Sequence, residues 1–171
     1  MATTLNIDLD SPLPSGAWTL YFHPAKENRW HMSTFKEIAK IKTYRDLANV
    51  FAAISPTDWA RSKFFFTPDG IPPLFENYQN IRGGSYSLRV DRGLAGEYMQ
   101  KYLLSAVLKS ALTTPGDVLQ CVRIKPQRDF NILQVWNKDC QTFNNPNGLI
   151  VIDSKIGKGE IKYCPHVEKK I

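Results

Sequence analysis

The chain has 171 residues, of which 43% are hydrophobic and 22% are charged, and its formal net charge is +6. This composition predicts an ordered globular protein and argues against wholesale disorder, and no apolar run reaches the roughly 20 residues that a membrane span needs. The positive balance favours an anionic partner, although many soluble proteins are modestly basic without having one.

A flexible leader is predicted over residues 1–14, followed by a single domain over residues 15–171. Within the domain, aromatic and β-branched residues, several of them in period-2 alternation, predict strands. These strands are residues 17–22, 64–66, 85–90, 118–125, 131–136, 149–152 and 160–164. The five residues between the fourth and fifth of these strands are short enough for an antiparallel hairpin.

Two helices are predicted by apolar residues at i, i+3 and i+4 spacing. The first begins after Thr43, an N-cap residue with Asp46 three positions later, and ends before Pro56. The second runs from Leu94 to about Leu112 and is followed by a Pro-Gly pair. Strands broken by isolated helices predict an α+β domain, in which helices cover one face of an antiparallel sheet.

Catalysis and metal binding are not indicated. The three histidines are scattered, and no nucleophile elbow, P-loop or zincin motif occurs. Cys164 and His166 are two potential zinc ligands, but no second pair stands at zinc-like spacing, so we expect no metal and no cofactor. Three widely spaced cysteines indicate reduced thiols, and no secretory signal is visible. We therefore expect a binding protein of the cytoplasm or the nucleus.

Basic residues on one predicted strand favour an anion site. Arg123 and Lys125 lie on the same face of this strand, because side chains alternate with period 2, and Arg128 follows in the hairpin loop. The alternative is a solvated strand face that has no ligand. Trp30 follows a polar loop, so it is either exposed or an anchor for local packing.

The segment DGIPPLFE, residues 69–76, is followed six residues later by RGG, residues 82–84. Together with Trp30, the strand VRIK at 122–125, and Trp136, this order resembles the eukaryotic translation initiation factor 4E family, the messenger-RNA cap-binding proteins. The similarity is weaker in the tail of the chain. It implies a curved antiparallel sheet with two or three helices on its convex face and a cap slot on its concave face.

The resemblance also implies how 7-methylguanine is bound. Trp30 and Phe75 would stack on the two faces of the base, whose ring is cationic. Glu76 would accept hydrogen bonds from its N1–H and N2 amino edge, and Trp136 would pack on the N7-methyl group. The expected function is binding of the 7-methylguanosine cap of messenger RNA in translation initiation.

The resemblance also implies which residues bind the cap phosphates. Arg123 and Lys125 match the phosphate-binding pair of the family, and Arg128 is predicted as the third cation. Two departures predict weaker binding: Phe75 replaces the second stacking tryptophan of the family, and Ser85 replaces an arginine near the phosphates. The alternative function is therefore an adaptor that keeps the fold, has lost useful cap affinity and acts through protein contacts.

On the convex face, the family docks a helix with the motif Tyr-x-x-x-x-Leu-Φ from an initiation factor 4G-like scaffold or a 4E-binding repressor. The predicted contact residues here are Tyr44, Leu47, Ala48, Lys101 and Leu104. Ala48 stands where the family has a tryptophan and Lys101 where it has an acid, so the resemblance implies a modified partner motif. The predicted partners are capped mRNA and such a scaffold or repressor, with no membrane, and the protein is expected to be a monomer.

Overall fold

The computed structural model describes residues 8–156 and 159–167. In chain order its strands and α-helices are β1 (Trp18–His23), β2 (Lys36–Ile41), α1 (Tyr44–Ala53), α2 (Pro56–Arg61), β3 (Lys63–Pro68), β4 (Gly84–Val90), α3 (Ala95–Val107), β5 (Leu119–Pro126), β6 (Asn131–Asn137) and β7 (Lys162–Pro165). Short 3-10 helices lie at Met32–Thr34, Arg92–Leu94 and Pro146–Gly148. In the described ranges, no helix combines the length and the apolar character that crossing a bilayer requires.

The strands form one curved antiparallel sheet in the order β2-β1-β3-β5-β6-β4-β7. The helices pack on one face of it: α1 lies on β2, α2 on β5, and α3 on β5 and β6. This arrangement confirms the predicted α+β class, with three helices on the convex face, and the hairpin predicted between β5 and β6 is also confirmed.

Alternation along β3 divides its three phenylalanines between two hydrophobic clusters. Phe64 and Phe66 belong to the main core between the sheet and the helices, together with Trp59, Met99 and many others. Phe65 points to the opposite face, where it forms a smaller cluster with three further buried residues. The members of this second cluster are Phe35, Phe65, Cys121 and Trp136. The sheet therefore has a packed side chain layer on its helix-free face as well.

The predicted start of α1 is confirmed by a complete capping box. The Thr43 hydroxyl accepts a hydrogen bond from the Asp46 N–H at 3.2 Å, and the Asp46 carboxylate accepts one from the Thr43 N–H at 3.1 Å. The end before Pro56 is also confirmed, but the same residues begin α2, which the sequence analysis missed. Ser55 caps α2 through a hydrogen bond from the Asp58 N–H, and Pro56 occupies its first position.

The second predicted helix is too long at its C-terminal end, because α3 stops at Val107 rather than near Leu112. Lys109 adopts a left-handed conformation with φ of 60°. The Ser110 N–H donates to the Ser105 carbonyl and the Lys109 N–H to the Ala106 carbonyl, which is the Schellman arrangement. Glycine normally occupies the left-handed position, so a lysine there gives no signal in the sequence.

The strand predicted at 149–152 is wrong. Leu149 forms only an isolated bridge with Leu112, and the Ile150 N–H donates to the Ala111 carbonyl, so this segment pairs with the chain that leaves α3 and not with the sheet. β2 was missed for the opposite reason: it is an edge strand, largely exposed and rich in charge, and therefore lacks the apolar alternation of a half-buried strand.

The predicted leader is described from residue 8 onward. Leu13 is buried in the main core, its N–H donates to the Lys42 carbonyl at 3.0 Å, and Pro12 forms an isolated bridge with Thr43. Residues 12 and 13 are therefore packed on the domain, because Leu13 fills core volume beside α1. The part of the predicted leader at residues 1–7 lies outside the described residues.

We expect Gly83→Ala to destabilise the protein by about 1–3 kcal/mol, because a side chain would be forced into a packed site. Gly83 lies just before β4, where a Cβ atom would overlap the backbone carbonyl of Asn137 on β6. Urea unfolding measures the loss. Gly93→Ala is the matched control, since a Cβ atom at Gly93 meets nothing within 4 Å. Equal stability of the two variants would contradict the close approach.

Candidate functional site

An open cavity of about 350 Å³ lies on the helix-free face, beside the second hydrophobic cluster. Its lining comes from β3, β5, β6 and the loops that follow β1, β3 and β5: Trp30, Lys63, Pro73, Leu74, Phe75, Glu76, Arg123, Lys125, Pro126, Gln127 and Trp136. All four residues predicted to bind the base are present, together with the predicted phosphate ligands Arg123 and Lys125. The tertiary structure therefore brings six of the seven predicted ligand residues together.

Arg128, the seventh, is not in this lining. It lies in the exposed hairpin loop, where its carbonyl accepts a hydrogen bond from Arg92 at 2.8 Å, and its role at the phosphates stays a prediction. A larger cavity of about 800 Å³ opens near the start of β4 and the end of β6. None of the predicted ligand residues lines this larger cavity, so the smaller cavity, which six of them line, is the candidate site.

Arg123 is the most unusual residue of the cavity. It is only 7% exposed, and its guanidinium carbon lies 4.3 Å from the ring centroid of Phe65, 5.7 Å from that of Trp30 and 6.0 Å from that of Trp136. Burial lowers its pKa to about 10. Its Nε atom has no hydrogen-bond partner, and the ion pairs in residues 8–156 and 159–167 do not include it. The alternative of a solvated strand face is therefore wrong for Arg123.

Trp30 forms one wall of the cavity and is supported from behind by a histidine. It is 40% exposed, and its indole stacks on the imidazole of His23 with a centroid distance of 4.4 Å and an interplanar angle of 5°. His23 Nε2 lies 3.0 Å from the Arg29 carbonyl, which can only accept, so Nε2 carries the hydrogen. The imidazole of His23 thus covers one face of the indole, and the Lys63 ammonium lies 5.0 Å from the indole ring centroid. The sequence analysis did not find His23.

The opposite wall is carried by the loop between β3 and β4. Asn80 is fully buried, and its side-chain amide donates to the carbonyls of Pro72 and Leu74, both at 2.8 Å. These bonds hold the segment on either side of Pro73 and position Phe75, which is 37% exposed, and the exposed Glu76. An amide buried within a loop of this kind acts as its internal brace, because each bond replaces a backbone partner that the loop lacks.

His166 lies between Phe75 of this loop and Trp136 of β6. Its Nδ1 donates to the Asn80 carbonyl at 2.9 Å, so the neutral ring accepts at Nε2 from the Ser85 hydroxyl at 3.0 Å. The ring centroid lies 5.8 Å from Phe75 and 5.0 Å from Trp136. In the sequence, His166 stood out only as a potential metal ligand. In the described residues, no group of three or more histidine, cysteine or acidic side chains is placed to hold a metal ion.

The predicted partner-binding residues lie on the helical face, and they differ in exposure. Ala48, Lys101 and Leu104 are exposed, and Lys101 forms an ion pair with Glu97 at 3.0 Å. Leu47 is 4% exposed and belongs to the main core, so it supports this face from below. Tyr44 is half-buried and packs against the same core. Three of the five predicted contact residues are therefore exposed on this face, and the other two are buried or half-buried.

We expect the free energy of unfolding to fall as the pH decreases below about 6.5, the ordinary pKa of histidine. Burial lowers the pKa of His23, and the charges of Lys63 and Arg123 add to this effect against the hydrogen bond to Arg29 and the charge of Glu27. The unfolded chain then takes up a proton that the folded protein does not, so protons favour unfolding.

His23→Gln should therefore flatten this pH dependence, measured by urea unfolding between about pH 7.5 and about pH 5, which spans the ordinary pKa of histidine. His31→Gln is the control, since it removes an exposed histidine from the loop that follows β1. Burial also lowers the pKa of His166, which remains in both variants. An unchanged slope in His23→Gln would contradict the neutral, buried imidazole behind Trp30.

Comparison with known proteins identifies the family. The sequence model described as Eukaryotic initiation factor 4E matches residues 14–165. The chain is 27% identical to eukaryotic translation initiation factor 4E-2 of Schizosaccharomyces pombe over 128 residues, which cover 72% of this chain and 52% of that protein. It is 28% identical to eukaryotic translation initiation factor NCBP of Arabidopsis thaliana over 154 residues, 83% of this chain and 65% of that protein. The chain thus spans between half and two thirds of these relatives.

Solved structures show the same fold. The C. elegans eIF4E-3 in complex with the 4E-binding protein Mextli and cap analog superposes with a TM-score of 0.72 at 21% identity, covering 91% of this chain and 92% of that one. The Ascaris suum eIF4E-3 with m7G cap gives a TM-score of 0.67 at 19% identity, covering 94% and 93%. The matched region continues beyond Trp136, where the sequence resemblance was weaker. This chain belongs to the eukaryotic initiation factor 4E family, as a divergent member.

Proposed function

We propose that this protein binds the 7-methylguanosine cap of messenger RNA and recruits a scaffold protein for translation initiation. Family membership supports the proposal. The single observation that carries it is Arg123, a guanidinium that is 7% exposed, lies among aromatic rings in an open cavity and has no carboxylate partner among the described ion pairs. Buried charges in proteins are normally paired, so an anionic ligand is the missing partner.

The base would be held by the aromatic walls. Trp30 offers an indole that is 40% exposed, and Phe75 offers a ring that is 37% exposed, both on the same cavity. Stacking contributes roughly 1–3 kcal/mol per base, and a cationic ring adds about 0.5–2 kcal/mol. Trp136 lies in the floor, where the N7-methyl group would contact it. These terms favour a methylated, cationic guanine over guanine itself.

Glu76 would read the guanine edge. The N1–H and N2 amino groups are donors, and an ionised carboxylate accepts hydrogen bonds at both of its oxygens. Glu76 is the carboxylate in the cavity lining, and the ion pairs of the described residues leave it unpaired. Glu76 would thus bind the base, while Arg123 and Lys125 would bind the phosphates.

The proposed activity is binding rather than catalysis, and the cytoplasm is the location we propose, with a nuclear pool as part of the same proposal. We further propose that the protein acts as a monomer.

Two departures from the family weaken the cap slot: Phe75 has a smaller π-surface than tryptophan, and Ser85 donates to His166 in place of a family arginine near the phosphates.

Tryptophan fluorescence, titrated with 7-methyl-GTP and with GTP at one fixed salt concentration, tests the cap proposal. We expect a strong preference for the methylated nucleotide. Glu76→Gln should weaken binding by about tenfold, because it removes a charged acceptor, and Phe75→Trp should tighten it. Asp69→Asn is the control, since Asp69 begins the same loop but pairs with Lys40 outside the cavity. Equal binding of both nucleotides would contradict the proposal and support the adaptor.

We propose that an initiation factor 4G-like scaffold or a 4E-binding repressor docks on the exposed helical face around Ala48, Lys101 and Leu104. Ala48 provides no aromatic anchor, and Lys101 reverses the charge found in the family. An ordinary Tyr-x-x-x-x-Leu-Φ helix should therefore bind weakly, and the protein's own partner should carry a modified motif.

Lys101→Glu should tighten binding of a standard 4G-type peptide severalfold, because it restores the charge that the family motif meets. Isothermal titration calorimetry measures the change. Lys36→Glu, on the exposed edge strand β2, makes the same charge change away from this face. Wild-type affinity as tight as that of an ordinary family member would contradict the altered partner preference.

A further inference from the structure

Lys63, the first residue of β3, lines the cavity although the sequence analysis assigned it no role. The register of β3 and β5 pairs Phe64 with Ile124 and Phe65 with Arg123. The same antiparallel register, continued one residue beyond its last pair, predicts Lys63 opposite Lys125. Because side chains alternate with period 2, Lys63 and Lys125 point to the same face as Phe65 and Arg123.

Three cations therefore share the lining of one cavity. Like charges opposite each other on neighbouring strands are destabilising. Burial lowers the pKa of Lys63, and Arg123 lowers it further; burial, Arg123 and Lys63 lower that of Lys125. The ion pairs of the described chain include five other basic-acidic contacts, but none that contains any of these three cations.

Aromatic faces offset part of this cost. The Lys63 ammonium lies 5.0 Å from the ring centroid of Trp30, and the Arg123 guanidinium lies over Phe65 and near Trp30. Each contact is a cation–π attraction, which is weaker than a hydrogen-bonded ion pair. The cations thus remain available to an anion that begins beside the Trp30 ring and carries several charges.

We propose that Lys63, Arg123 and Lys125 form one polyphosphate site, in which Lys63 and not Arg128 is the third cation. The inference rests on the proposed function for its natural ligand, the phosphate bridge of the cap, since the anion must start next to the stacked base. Lys63 is the specificity-determining residue of this site, because it converts a pair of cations into a cluster that favours a chain of phosphates over a single phosphate.

The test compares Lys63→Met, Lys63→Arg and Arg128→Met. Methionine removes the charge and keeps most of the apolar stem, whereas arginine keeps the charge. Lys63→Met should weaken 7-methyl-GTP binding by about 5- to 10-fold and should make its Kd less sensitive to salt. Binding of 7-methylguanosine, which has no phosphates, should stay unchanged. Lys63→Arg and Arg128→Met should each remain within about twofold of wild type, a margin well below one charge-assisted contact.

Inorganic tripolyphosphate separates this inference from the cap proposal. It should raise the Tm of the wild-type protein and of Arg128→Met, and it should raise that of Lys63→Met much less. If 7-methyl-GTP and GTP bind equally while this pattern holds, the cap proposal fails and the polyphosphate site stands. If cap preference is clear but Lys63→Met binds 7-methyl-GTP as wild type does, or Arg128→Met loses the affinity instead, the inference is overturned.

Discussion

The candidate site depends on the burial of a guanidinium that has no carboxylate partner. Removing the Arg123 charge from water is costly, and its pKa falls to about 10 as a result. The faces of Phe65, Trp30 and Trp136 repay part of this cost. The ion pairs of the described residues do not neutralise Arg123, and the proposed anion site depends on this uncompensated charge.

A rigid sheet makes this imbalance possible. The main core packs against β3, β5 and β6 from the helical side, which fixes the spacing of the backbone positions that carry the residues of their other face. The loops attached to this sheet are held by buried polar groups: His23 lies behind Trp30, Asn80 braces the loop of Phe75, and His166 joins that loop to Ser85. The walls of the cavity are thus positioned before a ligand arrives, which lowers the ordering cost of binding.

The departures of this chain from the family pattern differ between the two faces of the sheet. On the helix-free face, the aromatic, acidic and basic residues that the resemblance assigns to a cap slot line one cavity, while Phe75 and Ser85 depart from the family pattern. On the helical face, Ala48 and Lys101 alter the anchor and the charge that a partner helix would meet. The cavity lining therefore keeps more of the residue types that the resemblance assigns than the helical face does.

The sequence by itself determined the features that short segments carry. The DGIPPLFE segment, Trp30, the VRIK strand and Trp136 identified the family and six residues of the cavity, and Thr43 with Asp46 predicted the start of α1. These signals are local, because each depends on a motif, a cap or an alternation within a few residues.

Only the tertiary structure decided the remaining features, because they depend on contacts between distant segments. His23 supports Trp30 through loop closure, and Lys63 joins Arg123 only through the register of β3 and β5. His166, which follows β7, packs beside Phe75 and Trp136 of the cavity lining and lies 86 residues from its hydrogen-bond partner Asn80. The strand predicted at 149–152 was wrong for the same reason, since this segment pairs with residues 111 and 112 after α3 and not with the sheet. Local pattern records which side chains can be buried, whereas long-range packing determines what they are buried against.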